Sequence, residues 1–347
     1  MRSLRHEGQA PVTAPRLEPS EAGDLEAAVD VAGRLLANLE RVVVGKTDVL
    51  GLVVAAFSAR GHVLLEDVPG TAKTMLARAL ATSVEDAVSM RIQCTPDLQP
   101  TDVTGLSVWD PPSRRFEFRA GPVFANVLLV DEINRALPKA QSALLEAMAE
   151  RQVTVDGVTR PLPAPFFVIA TENPIEQDGT FPLPEAQLDR FLVRTSLGYP
   201  GLDDELSIVE SQVHGHPLDS LRPVISRDEL TALFEAVERI YVDPLLRRWI
   251  VELVRATREI EELEVGASVR GSLALDRVAR AAALVAGRSF AVADDVERLF
   301  VPVLAHRFVP SADALVSNET RGALLERISE QCFERAPRPA PLWDASG

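Results

Sequence analysis

Short runs rich in apolar residues recur along the first two thirds of the chain, at 62–66 (HVLLE), 90–94 (MRIQC), 127–130 (VLLV), 166–170 (FFVIA) and 191–195 (FLVRT). A strand with one wet face alternates apolar and polar residues. Runs as continuous as VLLV and FFVIA instead need cover on both faces, as in a parallel sheet sandwiched by helices. The stretches between them supply such helices. Val29, Leu35, Leu36, Leu39, Val43 and then Leu50, Val53, Val54 and Phe57 recur at helical spacing, which predicts two helices with a turn at Gly45, and 73–82 is a third. Two hairpins are expected as well. RRFEFR at 114–119 alternates Phe116 and Phe118 with charges, and VTVDGVTR at 153–160 carries Asp156-Gly157, a pair suited to a tight type I′ turn.

After Tyr199-Pro200 the pattern turns to amphipathic helices alone, at 228–241, 244–259, 273–286, 294–306 and 320–335. The expected organisation is a disordered, proline-bearing lead over 1–22, an α/β core over 23–210, a helical domain over 222–335 and a flexible tail over 336–347. A length of 347 residues suits two domains, and 46% hydrophobic with 25% charged residues is ordinary globular usage. With 51 acidic against 36 basic residues the net charge is −15, a field that repels phosphate backbones and makes nucleic-acid binding unlikely. No apolar run approaches the ~18 residues of a membrane span and the first ten residues lack a signal-peptide core, so the expected location is the cytoplasm. Cys94 and Cys332 are far apart with no metal-ligand spacing, and are expected as reduced, buried thiols.

The chemistry concentrates in two places. Directly after the first strand the chain reads Glu66-Asp67-Val68-Pro69-Gly70-Thr71-Ala72-Lys73-Thr74, leading into a helix. Backbone N–H groups at such a helix start form an anion cradle, with Lys73 aimed at β/γ-phosphates and Thr74 at Mg²⁺. Asp67 and Ala72 stand where the strict phosphate-loop pattern has glycine. Ala72 must avoid positive φ or accept strain, and Asp67 must point away from the phosphates. The second place is Val127-Leu128-Leu129-Val130-Asp131-Glu132, a buried strand ending in two acids. Asp131 suits a metal ligand and Glu132 a general base for an attacking water. An ordinary helix cap would account for only one of the two acids.

From about residue 35 to 308 the chain resembles the MoxR-type AAA+ ATPases. The resemblance rests on Asp131-Glu132-Ile133-Asn134-Arg135-Ala136, on QSALLEAM at 141–148, on Ala170-Thr171-Glu172-Asn173-Pro174 and on LPEAQLDRF at 183–191. It implies a P-loop AAA+ parallel-sheet core sandwiched by helices, with a C-terminal all-helical lid domain. It further implies ATP and Mg²⁺ as cofactors, with Val68, Pro69, Gly70, Thr71, Ala72, Lys73 and Thr74 around the phosphates and Thr74 with Asp131 at the metal. Asn173 takes the place of the sensor 1 asparagine that orients the water beside Glu132. Arg190 takes that of the arginine finger offered to a neighbouring subunit, and Arg270 that of sensor 2. Val43, Val44 and Gly45 match the segment that meets adenine, with Lys46 where glutamine is usual. The hairpin regions 102–122 and 153–163 resemble the helix-2 insert and the hairpin before sensor 1, which makes Trp109, Phe116 and Phe118 candidates for substrate contact.

The resulting expectation is an ATP-hydrolysing ring, a homo-oligomer of six subunits, with a chaperone-like role in remodelling or maturing protein complexes. Its expected partners are a von Willebrand factor A domain protein and a protein client. A nucleic-acid motor and a metal-insertion ATPase of the magnesium-chelatase type stand as alternatives. The histidines show no ligand spacing.

Overall fold

The computed structural model describes residues 19–68, 70–173, 179–213, 217–316 and 320–340. Helix α1 (Pro19–Glu40) begins inside the segment expected to be a lead. Residues 1–18, and Trp343 in the tail, lie outside the described residues. Helix α2 (Thr47–Ser58) follows after the turn at Gly45, then β1 (Val63–Glu66) and α3 (Lys73–Ser83). Next come β2 (Ser89–Gln93), the single turn α4 (Pro100–Thr104), and a hairpin of β3 (Gly105–Asp110) and β4 (Arg115–Ala120). The core continues through β5 (Val127–Asp131), α5 (Pro138–Glu150), a second hairpin of β6 (Gln152–Val155) and β7 (Val158–Pro161), β8 (Phe167–Glu172), α6 (Glu185–Leu188) and β9 (Val193–Thr195).

Five strands form one parallel sheet in the order β2-β5-β8-β1-β9. Every residue of β5 is buried, and the side-chain period of two divides the strand between two apolar clusters. Val127 and Leu129 face Phe167, Ile169, Val63 and Leu65 on one side of the sheet. Leu128 and Val130 face Leu64, Val168 and Ala170 on the other, where Leu144, Leu145 and Met148 of α5 cover them. Both faces of the central strands are therefore dry, which is why β5 and β8 read as continuous apolar runs, whereas β2 buries only Ile92 fully.

The helical part comprises α7 (Leu202–Val213), α8 (Arg227–Arg239), α9 (Pro244–Ala256), β10 (Leu263–Val265), α10 (Val269–Val285), α11 (Ala293–Leu304), β11 (Val309–Pro310), α12 (Ala312–Val316) and α13 (Arg321–Arg335). It departs from helices alone by the antiparallel pair β10·β11, whose strands of three and two residues are too short to leave a period in the sequence. α8 packs on α1 and α10 on α2, so Leu233, Trp249 and Leu275 share one continuous apolar cluster with Val53, Leu76 and Ile169. No helix among the described residues is long and apolar enough to cross a membrane.

The β3–β4 hairpin projects from the core. Its base requires Gly105, since at φ +89° a Cβ would lie 2.2 Å from the Arg119 carbonyl oxygen. Trp109 and Phe116 are register partners with ring centroids 5.3 Å apart, and both are exposed. Phe118 differs: it packs edge-on against Phe124, and the Arg160 guanidinium of β7 lies 3.9 Å from its ring centre, tying the two hairpins together.

Candidate functional site

A cavity of about 340 Å³ opens at the C-terminal ends of β1, β5 and β8. The loop 70–74 forms one wall and Asp131, Glu132, Thr171 and Asn173 the other. Strand topology accounts for the meeting: β5 and β8 are parallel neighbours with Val130 beside Ala170, so their ends deliver the acids and Asn173 to one edge.

α3 starts at Lys73, whose Nζ donates to the carbonyl oxygens of Asp67 (3.1 Å) and Val68 (2.9 Å), folding the loop around the ammonium. Asp67 turns away from the cavity. Its carboxylate is buried and accepts from Ser196 Oγ (2.8 Å) and from the backbone N–H groups of Leu197 (2.7 Å) and Gly198 (2.9 Å). The charge that looked unfavourable beside phosphates is a strut between the loop and the chain after β9. Ala72, by contrast, adopts the strained option, with φ 61° and ψ 17°. A left-handed alanine costs about 1 kcal/mol.

Glu132 is also left-handed, at φ 56°. Its backbone N–H donates to Thr171 Oγ1 (2.9 Å), and its carboxylate accepts from Gln93 Nε2 (3.0 Å) and Arg135 (3.2 Å). Asp131 accepts from Arg91 Nε at 2.6 Å and from the Thr171 hydroxyl at 3.4 Å. Cys94, one residue beyond β2, is not reactive. Burial, aided by the Asp131 and Glu132 charges, pushes its thiol up to about 12, and burial does the same for Cys332.

Of the residues singled out in the sequence, Gly70, Thr71, Ala72, Lys73, Thr74, Asp131, Glu132 and Asn173 line this cavity. Pro69 lies outside the described residues. Val68 contributes through its carbonyl, and Val43, Val44 and Gly45 are not part of this lining. Gly45 packs against α7 so closely that a Cβ would meet Asp204 Oδ2 at 2.0 Å.

Arg190 and Arg270 also lie outside the cavity. Arg190 occupies the turn after α6, is exposed and has no side-chain partner among the described residues. The neighbouring Asp189 does not pair with it. Asp189 accepts from Arg307 Nε (2.8 Å) and from Arg270 (3.1 Å) of the helical part. Asp189 thus ties the 73% exposed side chain of Arg270 to the turn that carries exposed Arg190.

Arg91, Gln93 and Thr171 are site residues that the sequence reading missed. A signal for two of them was present: β2 alternates polar Arg91 and Gln93 with buried Ile92, and its register sets Gln93 beside Asp131.

Comparison with known proteins decides the family. Residues 62–193 match the profile described as ATPase family associated with various cellular activities (AAA), and residues 255–328 match the AAA lid domain. The protein named Chaperone MoxR1 of Mycobacterium tuberculosis is 39% identical over 92% of this chain and 87% of its own length. The chain belongs to the MoxR family of AAA+ ATPases. Protein MoxR of Paracoccus denitrificans is 31% identical to this MoxR-family chain over 88% of it and 95% of the relative. A solved structure of a candidate ATPase from Cytophaga hutchinsonii superposes with a TM-score of 0.82 at 33% identity, covering 90% of this MoxR-family chain and 97% of that one.

Proposed function

We propose that this chain hydrolyses ATP in a homo-oligomeric ring of six subunits and uses the cycle to remodel or mature a protein complex. The observation that carries the reading is a division of labour. Lys73, Asp131, Glu132 and Asn173 line one cavity, while exposed Arg190 and Arg270 stand outside it, tied through Asp189. A cation suited to stabilising charge on a transferring phosphoryl group, yet absent from its own subunit's cavity, serves the site of a neighbour.

In this reading the backbone of 70–74 and Lys73 hold the β/γ-phosphates at the start of α3, where N–H groups and the helix dipole favour anions. Thr74 and Asp131 offer the hard oxygen donors that suit Mg²⁺, and no cluster of three or more His, Cys, Asp or Glu side chains forms a ready cage among the described residues. A Mg²⁺ held there would supply charge neutralisation to the phosphates. Glu132, held by Gln93 and Arg135, accepts the proton of the attacking water, and Asn173 orients that water. Val43, Val44 and Gly45 serve the adenine edge. Exposed Trp109 and Phe116 at the hairpin are the side chains offered to a client, whereas Phe118 is engaged internally.

The name Chaperone MoxR1 carried by a relative supports the remodelling role, and a von Willebrand factor A domain protein is the partner class proposed for this chain. The proposed domain limits are 23–210 for the core, its start moved back to Pro19 by α1, and 222–335 for the lid, and the proposed compartment is the cytoplasm. Glu132→Gln tests the reading. ATP affinity stays within about threefold of wild type, and turnover falls by ~10²–10⁴. Turnover near the wild-type rate would move the base elsewhere.

A further inference from the structure

At the other end of the sheet, where β1 and β8 begin, lie two adjoining cavities of about 290 and 260 Å³. Arg60, Arg151 and Phe234 contribute to both; Arg227 joins the wall of the first and Arg277 that of the second. These four cations come from four elements, the ends of α2 and α5, the start of α8 and the middle of α10, so only the tertiary fold assembles them. One acid, Glu238, lines the pair of cavities, 3.7 Å from Arg60 and itself mostly exposed.

Apart from the Arg60–Glu238 pair, the cations are positioned rather than neutralised. Arg60 lies over the Phe234 ring at 4.9 Å, Arg151 donates to the Arg60 carbonyl (2.9 Å) and Arg227 to the Asp86 carbonyl (2.8 Å). Arg277 makes no hydrogen bond or ion pair among the described residues. Burial and the Arg151 and Arg60 charges hold Arg277 below the ordinary arginine value, and burial with Arg60 lowers Arg151. Arg60, Arg151, Arg227 and Arg277 are all exposed, so water screens their mutual repulsion, and in a chain of net charge −15 their gathering around one acid makes a local positive field that attracts an anion.

We propose that this double cavity binds a small organic polyanion, an apolar or aromatic body seated against Phe166 and Phe234 and carrying two or more phosphate or carboxylate groups held by Arg60, Arg151 and Arg277. Planar guanidinium forks match both oxyanions in two-point fashion. The volumes are those of a small-molecule pocket rather than of a peptide groove, and Phe57, Phe166 and Phe234 supply the apolar wall. The site shares no residue with the cavity at Lys73 and does not depend on the hydrolysis reading. Because Arg60 and Arg151 belong to the α/β part and Phe234 and Arg277 to the helical part, an occupant braces one against the other.

The test is calorimetric titration of the Lys73→Ala chain, which silences the other phosphate site, with benzene-1,2,4,5-tetracarboxylate and with 1,4-phenylene bisphosphate at low salt. At least one probe saturates at one per chain, and the tighter of the two identifies the preferred head group. Arg277→Gln, which has no hydrogen bond to lose, weakens that probe at least tenfold without lowering the thermal midpoint of the free chain. Arg60→Gln weakens it too. Saturation by neither probe overturns the proposal, as does an affinity unchanged in both variants. Capture of an oligoglutamate peptide while neither probe binds also overturns it, by assigning the surface to an acidic protein segment.

Discussion

Asp189 accepts a hydrogen bond from Arg307 Nε at 2.8 Å, and through this pair the helical part grips the turn that carries Arg190. Arg307 is only 4% exposed and also donates to the Phe191 carbonyl (2.9 Å), so the grip is buried and has more than one point. Asp189→Asn leaves the Arg307 charge without its counterion, a change that costs about 3 kcal/mol in a buried pair. ATP binding is retained, and turnover falls about 10²-fold because Arg190 and Arg270 are misplaced. A structural defect alone would not be cured by a neighbour. Mixing Asp189→Asn with Glu132→Gln subunits should restore activity if Asp189 acts through Arg190, and no recovery at any ratio would reduce Asp189 to a fold-holding role.

Ala72 at φ 61° predicts a gain on substitution by glycine. Ala72→Gly relieves a left-handed strain of about 1 kcal/mol, partly offset by the greater freedom of the unfolded chain. Chemical denaturation should show a stability equal to or slightly above wild type, with Ala72→Val lower by 1 kcal/mol or more. A clear loss on Ala72→Gly would mean that the methyl group matters more than the backbone.

His62 sets an acid limit on stability. Val168 N–H donates to its Nδ1 at 3.0 Å in a fully buried setting. Burial, with smaller contributions from Arg151 and Arg277, lowers it from 6.5 to about 4. The unfolded chain therefore binds this proton first as pH falls. The stability given by neutral His62 is complete above pH 6.5 and is lost progressively down to pH 4, by about 3 kcal/mol at 1.36 kcal/mol per unit. Buried His306, beside Arg307, is lowered as well and adds to the same slope. Urea unfolding between pH 4 and 6.5 measures it. His62→Gln, whose amide oxygen can still accept from Val168, flattens the slope, and an unchanged slope would remove His62 from the account.

The central strands β5 and β8 were legible because apolar cover on both faces leaves an uninterrupted hydrophobic signature, whereas β2 buries only Ile92 fully; 127–132 announced both a central strand and its two acids. Lys73 and Glu132 were legible because each sits at a strand or helix end whose local pattern is strong. Asp67 was visible as a departure, but its resolution onto Ser196, Leu197 and Gly198 depends on residues about 130 positions away. Arg307 was invisible for the same reason: nothing local marks an arginine that will meet Asp189, 118 residues earlier. The hairpin aromatics show a further limit. Alternation put Phe116 and Phe118 on one face of β4, but only packing against Phe124 and Arg160 separates the occupied ring from the exposed one.

The central claim is that each ATP site is completed by the neighbouring subunit, and one mixing experiment tests it most directly. Arg190→Ala keeps base and phosphate loop but lacks the cation, and Glu132→Gln keeps the cation but lacks the base. Each alone is hydrolytically dead. In mixed rings some interfaces join an intact Glu132 on one side to an intact Arg190 on the other, so steady-state ATP turnover should reappear and peak at intermediate ratios. If Arg190 instead served its own subunit, no interface would be complete, and turnover would stay at background at every ratio.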